Sequence, residues 1–312
     1  MTDRLVTIFG GDGFVGRYVA QELLRLGVRV RIATRNPVAA ERSKPLAGLG
    51  RVQIVAANVT DAASVERVVA GADAVINLVG ILKGDFTAIH VEGAATVARA
   101  AAAAGVQALV HVSAIGADAT SASAYGRSKG EGEAAVRAAF PQVTIIRPSI
   151  IFGQEDQFTN RFAGLLRMGP VVPVIGGETK FQPVYVADVA KAIAAAALEP
   201  EKFGGKTFEL GGPQVMSMME INRFLADAIG RTPALMPVPA FAAYMLASLT
   251  GWAPGAPITR DQWQMLQKDN VVAAGAQGLE ALGIDATPLA AVAGSWLILY
   301  RKHGRFTARA QA

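Results

Sequence analysis

Residues 7–16, Thr-Ile-Phe-Gly-Gly-Asp-Gly-Phe-Val-Gly, decide the fold of this 312-residue chain. They lie between an apolar run, residues 5–9, and a segment with helical spacing, residues 14–26. The glycines fit both G-x-G-x-x-G and G-x-x-G-x-x-G, spacings that let a pyrophosphate rest on N–H groups at a helix N-terminus. In a chain with 33 glycines such spacings also arise in tight turns. The strand–loop–helix context favours a dinucleotide-binding loop.

Strand-like and helix-like runs alternate through the first 200 residues. Apolar runs of strand character lie at 4–9, 28–33, 52–57, 74–79, 108–113 and 143–147. Helix-like segments lie between them at 14–26, 62–70, 87–104 and 125–139, and another follows at 187–198. This alternation predicts βαβ units and therefore an α/β fold, a doubly wound parallel-sheet Rossmann domain over residues 1–198. Residues 199–312 are predicted to form a smaller C-terminal domain.

The composition excludes several kinds of site. The chain has no cysteine, so disulfides, thiolate catalysis and Cys-ligated metals are excluded. Its three histidines are not clustered with carboxylates, and no metal site is predicted. Met-Thr-Asp-Arg leads directly into the first strand, so no targeting segment is visible. We therefore expect a cytoplasmic protein, or one that is peripheral on the inner face of a membrane.

The positive charge is concentrated at the C-terminus. Arg301, Lys302, Arg305 and Arg309 supply four positive charges with no acidic residue among them. A nucleic-acid binder would instead carry a basic stripe through its fold, so nucleic acid is not an expected partner. The tail fits an anionic lipid or protein surface, or else it is a solubilising end.

The C-terminal third also contains an uncharged span. No charged residue lies between Arg231 and Arg260, and the span holds five prolines. Its uninterrupted apolar part, residues 240–253, and a second apolar run at 289–300 are too short to cross a bilayer. Both runs are interpreted either as core helices or as a face for a membrane surface or a partner protein.

The end of the second strand distinguishes the two nicotinamide nucleotides. NAD-binding proteins carry Asp or Glu about 20 residues after the glycine loop, where it holds the ribose 2′-hydroxyl. Here the stretch is Ala33-Thr34-Arg35-Asn36, without a carboxylate. Arg35, assisted by Arg17, suits a 2′-phosphate, although a solvated arginine is the alternative. We therefore expect NADP(H) rather than NAD(H).

A second candidate site is the segment Tyr125-Gly-Arg-Ser-Lys129. The spacing of four places Tyr125 and Lys129 one helical turn apart on one face. Lys129 would lower the pKa of the tyrosine and bind the nicotinamide ribose, while Tyr125 moves a proton. Ser113, which ends the fifth strand, would bind a substrate carbonyl. The alternative is a surface pair of no chemical role.

These residues together resemble a short-chain dehydrogenase/reductase of the atypical, extended kind. The resemblance rests on the glycine loop, Ser113, the Tyr125/Lys129 pair, Arg147-Pro-Ser-Ile-Ile-Phe-Gly153 and Phe181-Gln-Pro-Val-Tyr-Val-Ala-Asp-Val-Ala190. The motifs cover residues 1–200 in the order found in that superfamily. The resemblance implies the Rossmann fold, with Ser113, Tyr125 and Lys129 as the catalytic residues of an active member.

Within the superfamily, the chain is most similar to the nucleotide-binding accessory subunit of respiratory complex I and its bacterial relatives. Gly16-Arg-Tyr-Val19, the segment 125–133, Phe140-Pro141 and Ile151-Phe-Gly-Gln-Glu-Asp-Gln-Phe158 carry this likeness. It implies complex I subunits as partners and a bound NADPH that is structural rather than turned over. The implied cofactor-binding residues are Gly10, Gly11, Asp12, Gly13, Phe14, Val15, Gly16, Thr34, Arg35, Asn58, Val59, Val79, Gly80, Tyr125, Lys129, Pro148, Ser149 and Ile150.

Two positions depart from the pattern of active extended members. His90 stands where those members carry an Asn that supports a proton relay, and it is interpreted as a structural histidine or as a relay. Asn58 stands where relatives carry an Asp near the adenine. Two main hypotheses follow: an accessory or assembly subunit of respiratory NADH:quinone oxidoreductase, or an NADPH-dependent reductase of a small carbonyl or sugar-like substrate. A redox-sensing nucleotide-binding module is a third.

Overall fold

The central feature of the fold is a seven-stranded parallel sheet. The computed structural model describes residues 4–41, 50–253, 256–302 and 304. The strand order is β3-β2-β1-β4-β5-β6-β11, which begins with the order typical of dinucleotide-binding sheets. The strands are β1 (Leu5–Phe9), β2 (Arg29–Thr34), β3 (Val52–Ala56), β4 (Ala74–Asn77), β5 (Ala108–Val112), β6 (Thr144–Pro148) and β11 (Thr207–Leu210). The predicted α/β Rossmann fold is confirmed.

Helices cover this sheet in two layers. In one layer α1 packs on α7, and in the other α3, α4 and α5 pack side by side. The helices are α1 (Phe14–Arg25), α2 (Pro37–Ala40), α3 (Ala62–Val69), α4 (Ala94–Ala103), α5 (Ala124–Ala139), α7 (Val186–Leu198) and α8 (Pro200–Phe203). Alanines and valines fill the interface between the second layer and the sheet, where Val65, Val97 and Val136 are almost fully buried. Their small side chains let helices and sheet approach closely.

The segment 87–104, predicted as one helix, is not α-helical in its first half. Residues Thr87–Gly93 form a π-helix, and α4 begins only at Ala94. The π-helix packs closely on its surroundings, because a Cβ at Gly93 would lie 2.8 Å from the Val59 side chain and 3.0 Å from the Ala88 carbonyl. Such π-helical turns are rare and tend to occur at functional sites.

Contacts divide the chain into two compact units whose segments alternate in sequence. Unit 1 comprises Met1–Pro148, Val186–Leu210 and Val272–Asp285, and unit 2 comprises Ser149–Tyr185, Gly211–Val271 and Ala286–Ala312. The predicted division at residue 198 remains a prediction. A single cut cannot describe these units, because β11 returns to the sheet of unit 1 after an excursion into unit 2.

Unit 2 is built from three short strand pairs and a set of helices around its own core. The pairs are β7 (Ile151–Phe152) with β10 (Val184–Tyr185), β8 (Val171–Ile175) with β13 (Ala234–Val238), and β9 (Lys180–Phe181) with β12 (Met216–Ser217). The helices are α6 (Thr159–Leu166), α9 (Met218–Ala228), α10 (Ala240–Thr250), α11 (Arg260–Met265), α12 (Leu289–Val292) and α13 (Gly294–Leu297). The core includes Phe152, Leu225 and Trp296.

The two apolar runs of the C-terminal third differ in their packing. The run at 289–300 forms α12, α13 and a 3-10 turn, and it buries Leu289, Trp296 and Leu297 in the core of unit 2. In α10, by contrast, Phe241 is 74% exposed and the side chains of Met245 and Leu249 are exposed too. Within the described ranges, no helix has the length and apolar character needed to cross a bilayer.

The predicted basic tail is only partly described. Arg301 donates from Nε to the Ala228 carbonyl at 3.0 Å, so this side chain closes the C-terminal end of α9. Arg305, Arg309 and His303 lie outside the described residues. The prediction of an anionic surface for the tail therefore remains a prediction.

Candidate functional site

The glycine loop joins β1 to α1 as expected for a pyrophosphate cradle. Gly10 adopts φ +76°, a left-handed conformation that favours glycine, and its carbonyl accepts from the Gly13 N–H at 3.1 Å. Gly13 caps α1, so the first-turn amides that include those of Phe14 and Val15 lack helical acceptors. A Cβ at Gly16 would overlap the Gly10 carbonyl and Gly11 Cα. The loop is therefore wound tightly onto α1 and leaves backbone N–H groups for an anion.

A cavity of about 310 Å³ opens next to this loop, at the carboxyl ends of the strands. This is where open α/β sheets bind nucleotides. The predicted cofactor residues that line it are Gly10, Asp12, Gly13, Thr34, Arg35, Asn58, Val59, Val79 and Gly80. Sequence reasoning missed Phe9, Ala33, Asn36, Ala57, Leu78, Ile81 and Ile89. Most of the missed residues directly flank predicted ones at the strand ends, which is the signal that would have found them.

The remaining predicted cofactor residues do not line this cavity. Gly11 and Gly16 shape the loop, since a Cβ at Gly11 would lie 3.1 Å from the Ile32 side chain. Pro148 ends β6, and its carbonyl accepts from the Ile115 N–H at 3.1 Å. Ser149 belongs to unit 2, where its hydroxyl contacts the side-chain oxygen of Asn270 at 2.7 Å. Ile150 also belongs to unit 2, and the cofactor roles of all five remain predictions.

The wall at the end of β2 carries one cation and one anion. Arg35 is exposed and lines the cavity, and Asp12 lines it as well. The Thr34 hydroxyl donates to Asp12 Oδ2 at 2.8 Å, which holds this carboxylate beside the end of β2. A 2′-phosphate at this wall would be attracted by Arg35 and repelled by Asp12. Arg17 is not among the residues that line the cavity.

Lys129 is a buried cation next to Gly80, a residue that lines the cavity. Its Nζ donates to the Val112 carbonyl at 3.0 Å and lies 3.7 Å from the position of a Cβ at Gly80. Burial lowers the pKa of Lys129 to about 8, although the charge of Glu133 opposes this shift. The ammonium group therefore remains mostly charged at neutral pH, and its predicted contact with a nicotinamide ribose remains a prediction.

Tyr125 lies one turn before Lys129 on α5, within an aromatic cluster. Its ring packs edge-on against Phe86 and His90, with ring centroids 6.1 and 5.6 Å away. Burial raises the pKa of Tyr125 to about 12. The phenol is therefore protonated at neutral pH and is suited to donate a proton rather than to accept one.

Ser113 is the first residue after β5. It is 4% exposed, and its hydroxyl makes no hydrogen bond of acceptable geometry within the described residues. The hydroxyl is nevertheless near enough to Glu133 to help lower the pKa of that carboxylate. Lys129 donates to the carbonyl of Val112, the residue before Ser113, and Glu133 interacts with both Ser113 and Lys129. Its predicted catalytic role remains a prediction.

His90 is held by hydrogen bonds on both ring nitrogens. Nε2 accepts from the Ile81 N–H at 2.9 Å, which leaves the proton on Nδ1, 2.9 Å from Ser128 Oγ. Ser128 in turn donates to the Tyr125 carbonyl at 2.9 Å. Burial and the charge of Lys129 lower the pKa of His90 to about 4. His90 is therefore a neutral histidine that ties the π-helix to the cavity wall, and its role as a proton relay remains a prediction.

Below Lys129 lies a buried ionic cluster centred on Glu133. This carboxylate is 1% exposed and accepts two hydrogen bonds from Arg147, both at 2.8 Å, and one from Arg137 at 3.1 Å. Burial alone would raise the pKa of Glu133, but the hydrogen bonds and charges of the arginines outweigh it and hold the pKa low. Arg147 also reaches Glu209 on β11 at 3.3 Å. The cluster therefore joins α5 to β6 and β11.

Within the described residues, no group of three or more His, Asp or Glu is arranged to hold a metal ion. The geometry fits a dinucleotide, because the tight glycine loop lines the strand-end cavity and Lys129 lies beside Gly80 in its wall. These features define an NAD(P)-binding protein of the Rossmann type.

Comparison with known proteins identifies the family. Residues 6–211 match the NAD dependent epimerase/dehydratase family, and the chain belongs to that family. The NADPH-dependent quinone oxidoreductase QOR2 of Escherichia coli, solved with NADPH, superposes with a TM-score of 0.76 over 94% of this chain and 99% of that one. Its sequence identity is 21%, so this likeness shows the fold alone.

Two relatives are more similar in sequence. NADH dehydrogenase [ubiquinone] 1 alpha subcomplex subunit 9, mitochondrial, of Mus musculus is 37% identical over 293 residues, covering 91% of this chain and 77% of the relative. The ceramide reductase of Caulobacter vibrioides is 30% identical over 239 residues, covering 75% of this chain and 74% of the relative. The resemblance inferred from the motifs is confirmed.

Proposed function

We propose that this protein binds NADP(H) as an accessory or assembly subunit of respiratory NADH:quinone oxidoreductase, complex I, and that it holds the nucleotide rather than turning it over. The similarity to a complex I subunit over most of both chains suggests the partner. A nucleotide that binds only the folded state stabilises the protein by mass action, which requires no turnover. The proposed location is the cytoplasm, at the inner face of the membrane that contains the complex.

The observation that carries this proposal is the outer face of α10. Phe241, Met245 and Leu249 follow one another at intervals of four residues on this face, and Trp252, just beyond the helix, is 83% exposed. The inner face, with Ala243 and Ala247, is buried in unit 2. A helix that is apolar on all sides is normally covered on all sides. Aromatic residues and Met without charge are typical of the centre of a protein interface.

The catalytic region argues against turnover in the direction that oxidises an alcohol. The Tyr125 phenol has its pKa raised by burial alone, and the charge of Lys129 does not offset this effect. His90 occupies the place of the expected relay residue with both ring nitrogens bonded. A tyrosine that cannot ionise near neutral pH is a poor base for oxidising an alcohol.

Purification from native membranes tests the proposed partner. In mild detergent, we expect the tagged wild-type protein to carry NADP(H) and complex I subunits, both detected by mass spectrometry. Leu249→Ser combined with Trp252→Ser should remove most of the associated subunits because it places two hydroxyls in the apolar interface. Bound nucleotide should be retained, since both residues belong to unit 2.

Two variants serve as controls for that experiment. Leu26→Ser makes the same change at a leucine of unit 1 that is 47% exposed, and it should leave association intact. Tyr125→Phe should also leave it intact. Free protein with bound NADP and no subunits, or loss of a reductase activity in Tyr125→Phe with association preserved, would contradict the proposal.

The opposed charges at the end of β2 make nucleotide preference testable. Arg35→Ala should weaken NADPH binding by about 10-fold or more, the value of a lost charge-assisted hydrogen bond, and should leave NADH binding nearly unchanged. Asp12→Asn should do the reverse and strengthen NADPH binding relative to NADH, while the amide oxygen still accepts from Thr34. Calorimetric titration of each variant with both nucleotides measures the ratio. An unchanged ratio in both variants would exclude a 2′-phosphate at this wall.

A second candidate function is an NADPH-dependent reductase of a small carbonyl or sugar-like substrate. The protonated Tyr125 phenol favours it, because reduction of a carbonyl needs a proton donor for the oxygen. A bound nicotinamide would supply hydride to the carbonyl carbon. The similarity to a ceramide reductase is consistent with this candidate. The Tyr125→Phe control described above distinguishes it from the accessory role.

A further inference from the structure

A second cavity lies entirely within unit 2. It has a volume of about 250 Å³ and opens at the carboxyl ends of the parallel strands β8 and β13, where Ile175 pairs with Val238. The first turns of α10 form one wall, and α11 with the two residues after it forms another. The cavity has no part in the nucleotide site, whose lining residues all belong to unit 1.

Small residues on α10 create the space. Ala240 and Ala243 face the cavity, and opposite them stand Trp263 and Leu266. Tyr244 packs edge-on against Trp263 with ring centroids 5.0 Å apart, and Thr179 donates to the Leu266 carbonyl at 2.7 Å. These contacts fix both walls, so the cavity is pre-formed rather than a gap between loose segments. A pre-formed apolar concavity is the usual form of a small-molecule site.

The polar groups of the cavity are few and of one kind. Among its lining residues, only Glu178 and Gln267 carry a carboxylate or an amide side chain, and both are exposed. No lysine or arginine lines it. Gln267 Nε2 already donates to the Trp263 carbonyl at 3.1 Å, so the rim offers the Gln267 side-chain oxygen and the negative charge of Glu178, whereas the floor is mainly apolar. An anionic head group would meet Glu178 without a compensating cation.

The size of the cavity favours a slender small molecule over a protein helix as occupant. An α-helix is about 10–12 Å in diameter, and typical small-ligand pockets measure about 300–1,000 Å³. A cavity of about 250 Å³ admits a slender chain and neither a helix nor a fused ring system with substituents. We propose that it binds a single alkyl chain whose head carries hydroxyl, amide or ammonium donors toward Glu178 and Gln267. This site is independent of the proposed complex I partnership.

A matched set of ten-carbon probes tests the proposal. Decylamine, 1-decanol and decanoate share one chain and differ in the head group, and calorimetric titration below their critical micelle concentrations gives affinity and stoichiometry. The full-length protein should bind decylamine and 1-decanol at one site, and decanoate at least 10-fold more weakly. Glu178→Gln should lower the affinity for decylamine to that for 1-decanol.

A second experiment uses variants that fill the cavity. Ala243→Leu projects a larger side chain into the floor and should weaken 1-decanol binding at least 10-fold, whereas Ala242→Leu, one residue earlier and outside the lining, should not. Gln267→Trp closes the exposed rim without altering the floor and should have the same effect as Ala243→Leu. A near-UV circular dichroism spectrum and a thermal unfolding midpoint like those of wild type verify the fold of unit 2 in each variant, because Trp263 lies in the cavity wall. Equal binding of all three probes, or equal binding by wild-type and both filled variants, would overturn the proposal.

Discussion

A Gly132→Ala variant is expected to lose about 3 kcal/mol of folding free energy, at the upper end for overpacking, together with most of its nucleotide affinity. The added Cβ would overlap the His90 carbonyl oxygen, because α5 and the π-helix are in direct contact there. The π-helix must then move. Since His90 Nε2 accepts from Ile81, which lines the nucleotide cavity, the displacement reaches the cavity wall.

Gly164→Ala is the matched control for this substitution. Gly164 is also helical, in α6, but nothing lies within 4 Å of the position of its Cβ. There the same change should stabilise by about 0.5–1 kcal/mol, because alanine has the higher helix propensity. Chemical denaturation and NADPH titration measure both effects. A Gly132→Ala protein as stable as wild type would show that the two helices do not pack as closely as described.

Glu133→Gln is the second variant with a large expected effect, a loss of about 3 kcal/mol of folding free energy. The change removes the charge that neutralises Arg147 and Arg137, whose side chains are 25% and 40% exposed. Because the two arginine side chains are partly exposed, we expect a loss at the lower end of the range measured for broken buried ion pairs. Glu22→Gln, at an exposed pair with a similar distance of 2.7 Å to Arg25, should change stability little.

The same variant should alter the pH dependence of nucleotide binding. Glu133 raises the pKa of Lys129, so its removal moves that pKa below about 8. A lysine with a depressed pKa loses its charge as pH rises through the folded-state value. NADPH affinity should therefore fall at a lower pH in Glu133→Gln than in wild type, where the fall is centred near pH 8. Coincident pH profiles would mean that the cluster is structural only.

The regular elements of unit 1 follow directly from local sequence patterns. The predicted helix over 125–139 appears as Ala124–Ala139, and the apolar run at 108–113 appears as Ala108–Val112. Alternation of such runs suffices for a parallel sheet, because each apolar strand must be covered on both faces. The π-helix at Thr87–Gly93 has no such local signature. It lies where Val59 approaches Gly93 and where Gly132 of α5 approaches the His90 carbonyl, which are contacts between residues distant in sequence.

The candidate site also has a part that local sequence patterns predict and a part that depends on long-range contacts. The glycine loop and Arg35 could be identified from the sequence, because both lie at predictable distances from predicted strands. Asp12 is also a predicted cofactor-binding residue. Its position beside Thr34 at the end of β2, however, follows only from the pairing of β1 with β2. The alternation of two units likewise depends on β11 pairing with β6, a long-range contact.

The sequence by itself determined the Rossmann fold, the cradle at 10–16 and the pairing of Tyr125 with Lys129, because strand period, helix period and glycine spacing are local properties. Only the tertiary structure decided the chemical state of these groups. The pKa of Tyr125 is set by burial, the tautomer of His90 by Ile81 and Ser128, and the charge of Lys129 by burial and Glu133. Protonation depends on which groups and how much solvent surround an atom in space, and residues far apart in the chain supply that surrounding.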